Sequence, residues 1–187
     1  MSNNLLIIVD MQNDFIDGSL GSKEARAIVP NVVNKIDNWG GDIISTKDTH
    51  NKNYLQTQEG RYLPIPHCIE GSKGHKLNSK VIKAIKDYTA RTFSFHHNYV
   101  AVDKGSFGST LLPEMILING AHKRDYYDYI EFVGLCTDIC VVSNALIVKA
   151  NFPEVRIAVD SSCCAGTTPE LHNAALAVMK SCQIEVY

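Results

Sequence analysis

The chain has 187 residues, a length typical of one domain, so we expect a single domain over residues 1–187. Hydrophobic residues make up 45% of it and charged residues 20%, a globular composition that excludes a disordered or collagen-like chain. The formal net charge is -2 and the basic residues are scattered, which argues against nucleic acid as a partner.

The cysteines and the first apolar run bear on the cellular compartment. Six cysteines are too few and too irregularly spaced to predict a disulfide framework. The apolar run at residues 5–9 is too short for a membrane span or a signal peptide, and no basic segment precedes it. The sequence therefore predicts a cytoplasmic protein with reduced thiols and no membrane partner.

Six short apolar runs, several of them rich in β-branched residues, predict strands. Most of these runs do not alternate between apolar and polar residues, which is typical of strands buried on both faces of a parallel sheet. The runs lie at residues 5–9, 42–45, 99–102, 129–133, 156–159 and 184–187.

Apolar residues at helical spacing predict helices between these strands. Pro30 suits a first helical turn, so the helix after the first strand is expected to start there. The other helices are expected to start after Asn78 or Ser79, near Asp138, and after the cap Thr168 with Pro169 in the first turn. The alternation predicts an α/β fold of three layers, a doubly wound, mainly parallel sheet with helices on both faces.

Reactive side chains follow four of the predicted strands. Asp10 follows the first strand, Asp48 and His50 the second, Lys104 the third and Cys140 the fourth. Because ligands bind at the carboxyl ends of the strands in open α/β sheets, we expect these side chains to meet at one edge. Taken singly, each has an ordinary alternative, such as a helix cap, a surface cation or a small buried residue.

Five strings of residues, in this order along the chain, resemble the isochorismatase-like cysteine hydrolases and particularly their nicotinamidase branch. The strings are residues 6–15, 48–50, 66–71, 104–105 and 133–141. The resemblance extends from Leu5 to about Met179 and implies the isochorismatase-like hydrolase fold. It also implies that Asp10, Lys104 and Cys140 form a catalytic triad.

A thiol with an unperturbed pKa near 8.5 is mostly protonated at neutral pH, so a nucleophilic Cys140 needs a proton acceptor and a nearby positive charge. Asp10 is the expected acceptor, and Lys104 and the helix start at Cys140 are expected to favour the thiolate. The resemblance implies that the backbone N–H groups of Cys136 and Cys140 hold the oxyanion, next to a cis peptide between Leu135 and Cys136. A metal-binding or redox pair of Cys136 and Cys140 is the lesser alternative, because the spacing is CxxxC and the sequence has no second such pair.

Asp48 and His50 are two residues apart, so at a strand end they project to one side and offer half of a cation site. His67, in the long irregular stretch at residues 50–76, is the candidate third ligand, and Glu59 is a weaker candidate for an additional one. This donor set suits a divalent metal ion, zinc first and iron or manganese as alternatives. The resemblance maps Asp48, His50 and His67 onto the metal ligands of nicotinamidases.

The resemblance further implies that the metal holds the pyridine nitrogen of the substrate and that Phe15 packs on the ring, with Leu135 as a second substrate contact. The chain departs from the family pattern in one place. Nicotinamidases often carry a Trp just before the second metal histidine, whereas residues 63–66 here are Leu-Pro-Ile-Pro. The expected aromatic sandwich around the substrate is therefore incomplete.

The expected reaction is metal-assisted hydrolysis of nicotinamide or a close analogue to nicotinic acid and ammonia, through a thioester on Cys140. One alternative is a cysteine hydrolase of the same superfamily that acts on another small amide or carbamoyl compound. The other is an inactive protein that binds a metal or ligand on the same scaffold. The expected partner is a small-molecule amide, and a homo-oligomer stays open.

Overall fold

The computed structural model describes residues 3–92, 97–120 and 127–187. Its strands confirm the predicted ones, with ends that differ by a few residues. They form one sheet in the order β3-β2-β1-β4-β5-β6, and every neighbouring pair is parallel. The strands are β1 (Asn4–Val9), β2 (Asp42–Asp48), β3 (Tyr99–Lys104), β4 (Tyr129–Leu135), β5 (Arg156–Ala165) and β6 (Glu185–Val186).

Helices occupy the connections between the strands, together with a 3-10 turn at Tyr54–Gln56 and a π-helical turn at Thr137–Val141. The helices are α1 (Asn13–Ile16), α2 (Lys23–Asp37), α3 (Gln58–Tyr62), α4 (Ser79–Thr92), α5 (Leu112–Gly120), α6 (Val142–Asn151) and α7 (Pro169–Ser181). The predicted caps of α4 and α7 are confirmed, since Asn78 Oδ1 accepts from the Lys80 amide and Thr168 Oγ1 from the Leu171 amide. Within the described ranges, every helix is too short or too polar to span a bilayer.

The predicted start of α2 at Pro30 is wrong. The helix begins directly after Ser22, whose side chain accepts a hydrogen bond from the Ala25 amide at 2.9 Å. Ala25 and Ile28, both upstream of the proline, are buried against the sheet. This burial and the cap offset the one backbone hydrogen bond that Pro30 cannot donate inside the helix.

Helix α5 was not predicted from the sequence. Its residues are apolar on most sides, so it lacks the amphipathic spacing by which a surface helix is recognised. It also lies directly before one of the gaps in the described ranges.

The helices cover both faces of the sheet, which confirms the predicted three-layer fold. Helices α2 and α4 pack on one face against Leu6 and Ile8 of β1, and α5, α6 and α7 pack on the other face against Leu5 and Ile7. Successive residues of β1 therefore face different helical layers. This explains why the run is apolar without alternation.

The strand order reverses between β1 and β4, and the backbone is unusual at the carboxyl ends of both strands. Asp10 has a φ of 46°, Gly134 has a φ of 121°, and the Leu135–Cys136 peptide is cis, as expected from the resemblance. A Cβ atom at Gly134 would lie 2.1 Å from the Val9 carbonyl oxygen, so this close approach requires glycine. Ligands bind at such a switch point in doubly wound sheets.

Candidate active site

A buried charge cluster lies beyond these strand ends, with Lys104 at its centre. Lys104 Nζ lies 2.7 Å from Asp10 Oδ2, 3.3 Å from Asp48 Oδ1 and 3.4 Å from Cys140 Sγ. It also donates a hydrogen bond to the Ser106 carbonyl oxygen at 3.0 Å. The structure thus brings together the three residues predicted as a triad, from the ends of β1 and β3 and from the turn after β4.

The electrostatics of this cluster follow from burial and pairing. Burial raises the pKa of Asp10 by more than Lys104 lowers it, although Thr46 Oγ1 also donates a hydrogen bond to Asp10 Oδ1 at 2.7 Å. Burial lowers the pKa of Lys104, but Asp10, Cys140 and Asp48 together raise it more, so the net shift is upward. Lys104 is therefore a fixed positive charge at neutral pH.

Cys140 is almost fully buried, and its surroundings favour the neutral thiol. Burial raises the pKa of Cys140 first, Asp10 raises it further as a charge and as a hydrogen-bond partner, and Lys104 opposes both. Lys104 thus acts in the expected direction, toward the thiolate, but burial and Asp10 outweigh it. The thiol needs a base at the moment of reaction, and Asp10 is its neighbour.

Beside Lys104, four side chains bring one potential ligand atom each to a common point. These atoms all lie within 4.8 Å of one another and belong to Asp48, His50, Glu59 and His67. His50 Nε2 lies 2.8 Å from Asp48 Oδ2 and 3.5 Å from Glu59 Oε1. His67 Nε2 lies 3.4 Å and 3.7 Å from the same two oxygen atoms. The structure brings the three predicted ligands together and adds Glu59, the weaker candidate.

Backbone pairing carries the long loop to this cluster. The His50 amide donates to the Cys68 carbonyl oxygen at 3.0 Å, and the Glu70 amide donates to the His50 carbonyl oxygen at 2.9 Å. The loop therefore runs beside the residues that follow β2 and places His67 next to His50. His67 Nδ1 lies 2.8 Å from the Ile65 carbonyl oxygen, so Nδ1 carries the proton and Nε2 presents its lone pair to the cluster.

The donor set and its geometry fit a divalent cation. Among the described residues, His50 Nε2 is buried without an aligned hydrogen bond, although Asp48 Oδ2 is only 2.8 Å away. Two buried polar atoms this close but misaligned for hydrogen bonding are arranged as neighbouring ligands of one ion would be. Two imidazole nitrogens and carboxylate oxygens are donors that suit zinc, iron or manganese.

A cavity of about 310 Å³ adjoins both clusters. Phe15 and Leu135, the predicted substrate contacts, lie in its wall together with Cys136 and Cys140. The Phe15 ring centroid is 5.5 Å from that of His67, with the two rings tilted by 60°. The wall is mostly apolar with a few polar groups, which is typical of small-molecule sites.

The wall residues that were not predicted from the sequence include Leu63, Phe107, Ile139 and Thr167. Ile139 precedes Cys140 and could have been inferred from that position, but the other three lie in loops and carry no local signal. Thr167 is held by Asp138, whose carboxylate accepts from the Thr167 amide at 2.8 Å and from its hydroxyl at 2.5 Å. The turn that carries Cys140 thus also anchors the opposite part of the wall.

The Isochorismatase domain family matches residues 4–187, so the chain belongs to this family. It is 30% identical over 193 residues to the nicotinamidase/pyrazinamidase of Mycobacterium tuberculosis, covering 97% of this chain and 96% of that protein. It is 26% identical over 197 residues to an Arabidopsis thaliana protein named "Probable inactive nicotinamidase", covering 96% and 89%. A nicotinamidase crystal structure from Bacillus subtilis matches with a TM-score of 0.79 at 25% identity, covering 98% of each chain.

Proposed function

We propose that this protein is a metal-assisted cysteine amidohydrolase that converts nicotinamide or a close analogue to nicotinic acid and ammonia. The observation that carries the proposal is the convergence of Asp10, Lys104 and Cys140 beside a cavity that also borders a metal-type cluster. Similarity to a nicotinamidase/pyrazinamidase over 97% of the chain supports the same activity.

Substrate binding is proposed to use the apolar part of the cavity wall. A pyridine ring is flat and apolar on its faces, and Phe15 and Leu135 offer matching surface. The carboxamide then lies toward Cys140, the thiol in the same wall. Residues 63–66, the run before the second histidine, contain no aromatic side chain, and Leu63 gives the wall an aliphatic contact there.

The first chemical step is proton transfer from the Cys140 thiol to the Asp10 carboxylate. The raised pKa of Asp10 makes it a stronger base than an ordinary aspartate. It also makes the difference between the pKa values of Asp10 and Cys140 smaller than it would be with an ordinary aspartate. Lys104 Nζ, at 3.4 Å from the sulfur, stabilises the thiolate as it forms. Lys104 also holds the Asp10 carboxylate in place through the 2.7 Å contact.

The thiolate then attacks the amide carbon, a C–S bond forms, and the carbonyl electron pair moves onto oxygen. We assign stabilisation of this oxyanion to the backbone N–H groups of Cys136 and Cys140. Asp10 gives its proton to the amide nitrogen, the C–N bond breaks and ammonia leaves a thioester. Water next adds to the thioester while Asp10 takes its proton, and the C–S bond breaks to release the acid and the thiolate.

Asp48, His50, Glu59 and His67 are the residues proposed to hold a divalent ion, zinc before iron or manganese. When bound, such an ion supplies a Lewis acid that can bind the ring nitrogen of the substrate. Lys104 contacts both Cys140 and Asp48, so it fixes the position of the nucleophile relative to the ligand set.

Ammonia release from nicotinamide, measured with elemental analysis of the purified protein, tests the proposal. We expect turnover and about one divalent ion per chain. The run Leu-Pro-Ile-Pro at residues 63–66, where the family often carries a Trp, favours a second candidate, hydrolysis of another small amide or carbamoyl compound. Turnover of such a compound without turnover of nicotinamide would establish it, and no ammonia from any amide tested would indicate an inactive protein.

We also propose a cytoplasmic location. All six cysteines of the chain are free thiols in the structure. Free thiols persist in a reducing compartment, and the proposed reaction needs Cys140 in its reduced form.

A further inference from the structure

Strands β1 and β2 separate at their carboxyl ends, near Asp10 and Asp48. Backbone pairing between β1 and β2 reaches the Asp10 amide, which donates to the Thr46 carbonyl oxygen at 3.2 Å. The positive φ of Asp10 then turns the chain out of the sheet, while β2 continues to Asp48. Beyond Thr46, the edge of β2 that faces β1 therefore needs another partner for its backbone groups.

The side chain of Gln12 is that partner. Its Oε1 accepts from the Asp48 amide at 2.8 Å, and its Nε2 donates to the Asp48 carbonyl oxygen at 2.8 Å. A primary amide carries the same donor and acceptor as a peptide group, so Gln12 replaces the missing strand neighbour. The residue is 0% exposed, which excludes water as a substitute.

A second contact ties the same amide to the long loop. Gln12 Nε2 also donates to the His75 carbonyl oxygen at 2.9 Å. The His75 ring in turn lies 2.9 Å from Thr49 Oγ1, through Nε2. The backbone at Asp48 and Thr49 is therefore held by Gln12, which follows β1, and by the loop, and not only by β3.

We propose that Gln12 is a positioning residue for the cation site, an inference that rests on the proposed function. The Asp48 carboxylate faces Lys104 with Oδ1 and the two histidines with Oδ2, so a small rotation of the backbone at Asp48 would misplace both oxygens. Gln12 follows Asp10 by two residues, in the turn between β1 and α1. It therefore sets the metal ligand and the proposed proton acceptor at a constant separation.

Tyr88 offers a matched control at the opposite end of the same strand. Its hydroxyl accepts from the Gly41 amide at 3.0 Å and donates to the Gly41 carbonyl oxygen at 2.7 Å, directly before β2. Tyr88→Phe removes two hydrogen bonds from a buried side chain to the residue directly before β2. Gln12→Met removes the corresponding two at Asp48 together with a third, to the His75 carbonyl oxygen. Both variants lose stability, but only one loss lies at the proposed metal ligand.

The experiment measures zinc affinity by competition with a chromogenic chelator, alongside urea unfolding of each protein. We expect Gln12→Met to weaken zinc binding about 10- to 100-fold and Tyr88→Phe to leave it within about 2-fold. If Gln12→Met does not fold, Gln12→Asn replaces it, because it keeps the amide but is too short to reach both backbone groups.

Three results would overturn the inference, and they are distinguishable. Unchanged zinc affinity in a folded Gln12 variant overturns the role of Gln12 and leaves the proposed function standing. A wild-type chain that does not bind zinc, iron or manganese overturns the proposed metal site and this inference with it. Equal weakening by Gln12→Met and Tyr88→Phe also counts against it, since that outcome reflects strand stability alone.

Discussion

Two buried clusters in this protein contain the same chemical groups. Each has one lysine, two carboxylates and one cysteine: the Lys104 cluster is Asp10, Asp48, Lys104 and Cys140, and the Lys35 cluster is Lys35, Glu131, Asp160 and Cys163. Lys35 Nζ lies 2.7 Å from Glu131 Oε1 and 2.8 Å from Asp160 Oδ2, distances as short as those around Lys104. Composition and charge therefore do not separate a reactive site from a structural one.

The same kinds of interaction also shift the pKa values of Cys140 and Cys163. Burial raises the pKa of Cys163 to about 12, Asp160 raises it as well, and Lys35 opposes them. The same causes act on Cys140 in the same directions, from burial, Asp10 and Lys104. A raised thiol pKa beside a lysine is thus no evidence of nucleophilic chemistry by itself.

The two clusters differ in the access of their cysteine to a cavity and in the contact between lysine and cysteine. Cys140 lies in the cavity wall and its sulfur is 3.4 Å from Lys104 Nζ. Lys35 is instead partly exposed, and its Nζ lies 3.2 Å from the hydroxyl oxygen of the exposed Tyr187 and 5.3 Å from the centroid of that ring. A thiol with a direct cation contact at the wall of a cavity is therefore the distinguishing feature of the Lys104 cluster.

Replacing the two cysteines gives the largest expected difference. Cys140→Ala should lower turnover at least about 10⁴-fold, because the nucleophile is lost, without loss of folding or bound metal. Cys163→Ala should leave turnover within about 2-fold and lower the free energy of unfolding by about 1 kcal/mol. Ammonia release and urea unfolding of both variants measure the contrast. Ammonia release that survives in Cys140→Ala would remove the basis of the mechanism.

Replacing the two lysines should separate function from stability. Lys104→Met should lower kcat about 10³-fold, because neither the thiolate nor Asp10 keeps its cation. Lys35→Met should lower the free energy of unfolding by about 2 kcal/mol, since two carboxylates lose their partner, and should leave kcat unchanged. The measurements are steady-state kinetics and urea unfolding. A comparable loss of kcat in Lys35→Met would mean that the clusters do not differ as described.

The aromatic residues beside the clusters give a smaller contrast. Phe15→Leu should raise KM about 10-fold with little change in kcat, because the ring contributes to binding and not to proton transfer. Tyr187→Phe, which removes the hydroxyl beside Lys35, should leave both constants unchanged. A Phe15→Leu variant with an unaltered KM would place the substrate elsewhere in the cavity.

The pH dependence of stability is the smallest expected effect. Burial raises the pKa of Asp160, but hydrogen bonds from Lys35 and Ser162 lower it more, so the net shift is below the usual value. A carboxyl group with a depressed folded pKa stabilises above its unfolded pKa and loses that contribution as the pH falls through the folded pKa. Between about pH 4 and pH 2, wild type should therefore lose more unfolding free energy than Asp160→Asn. Parallel curves for the two proteins would contradict the depressed pKa.

Much of the fold was predictable because buried parallel strands have a simple, recognisable sequence pattern. Runs such as residues 5–9 are apolar without alternation, since successive side chains face different helical layers. The start of α2 was mispredicted because Pro30 is a strong local signal, whereas the Ser22 cap and the burial of Ala25 depend on the sheet beneath. Helix α5 lacked an amphipathic pattern altogether.

The candidate site likewise contains residues that were predictable from the sequence and residues that were not. Asp10, Lys104 and Cys140 could be expected at one edge because each directly follows a strand of a parallel sheet. Glu59 was only a weak candidate, and Phe107 and Thr167 gave no signal, because their positions depend on how loops fold back over the sheet. The Lys35 cluster was missed for another reason: its members come from α2, β4 and β5, which meet only when the helix packs on the sheet.

The sequence alone determined the strands, their parallel arrangement and the reactive groups at the strand ends, because hydrophobic periodicity and position after a strand are local properties. Tertiary structure alone decided which lysine contacts a thiol at the wall of a cavity and which lies beside a tyrosine at the surface. It also decided the electrostatic surroundings of Cys140, because burial, Asp10 and Lys104 act on its pKa from distant parts of the chain.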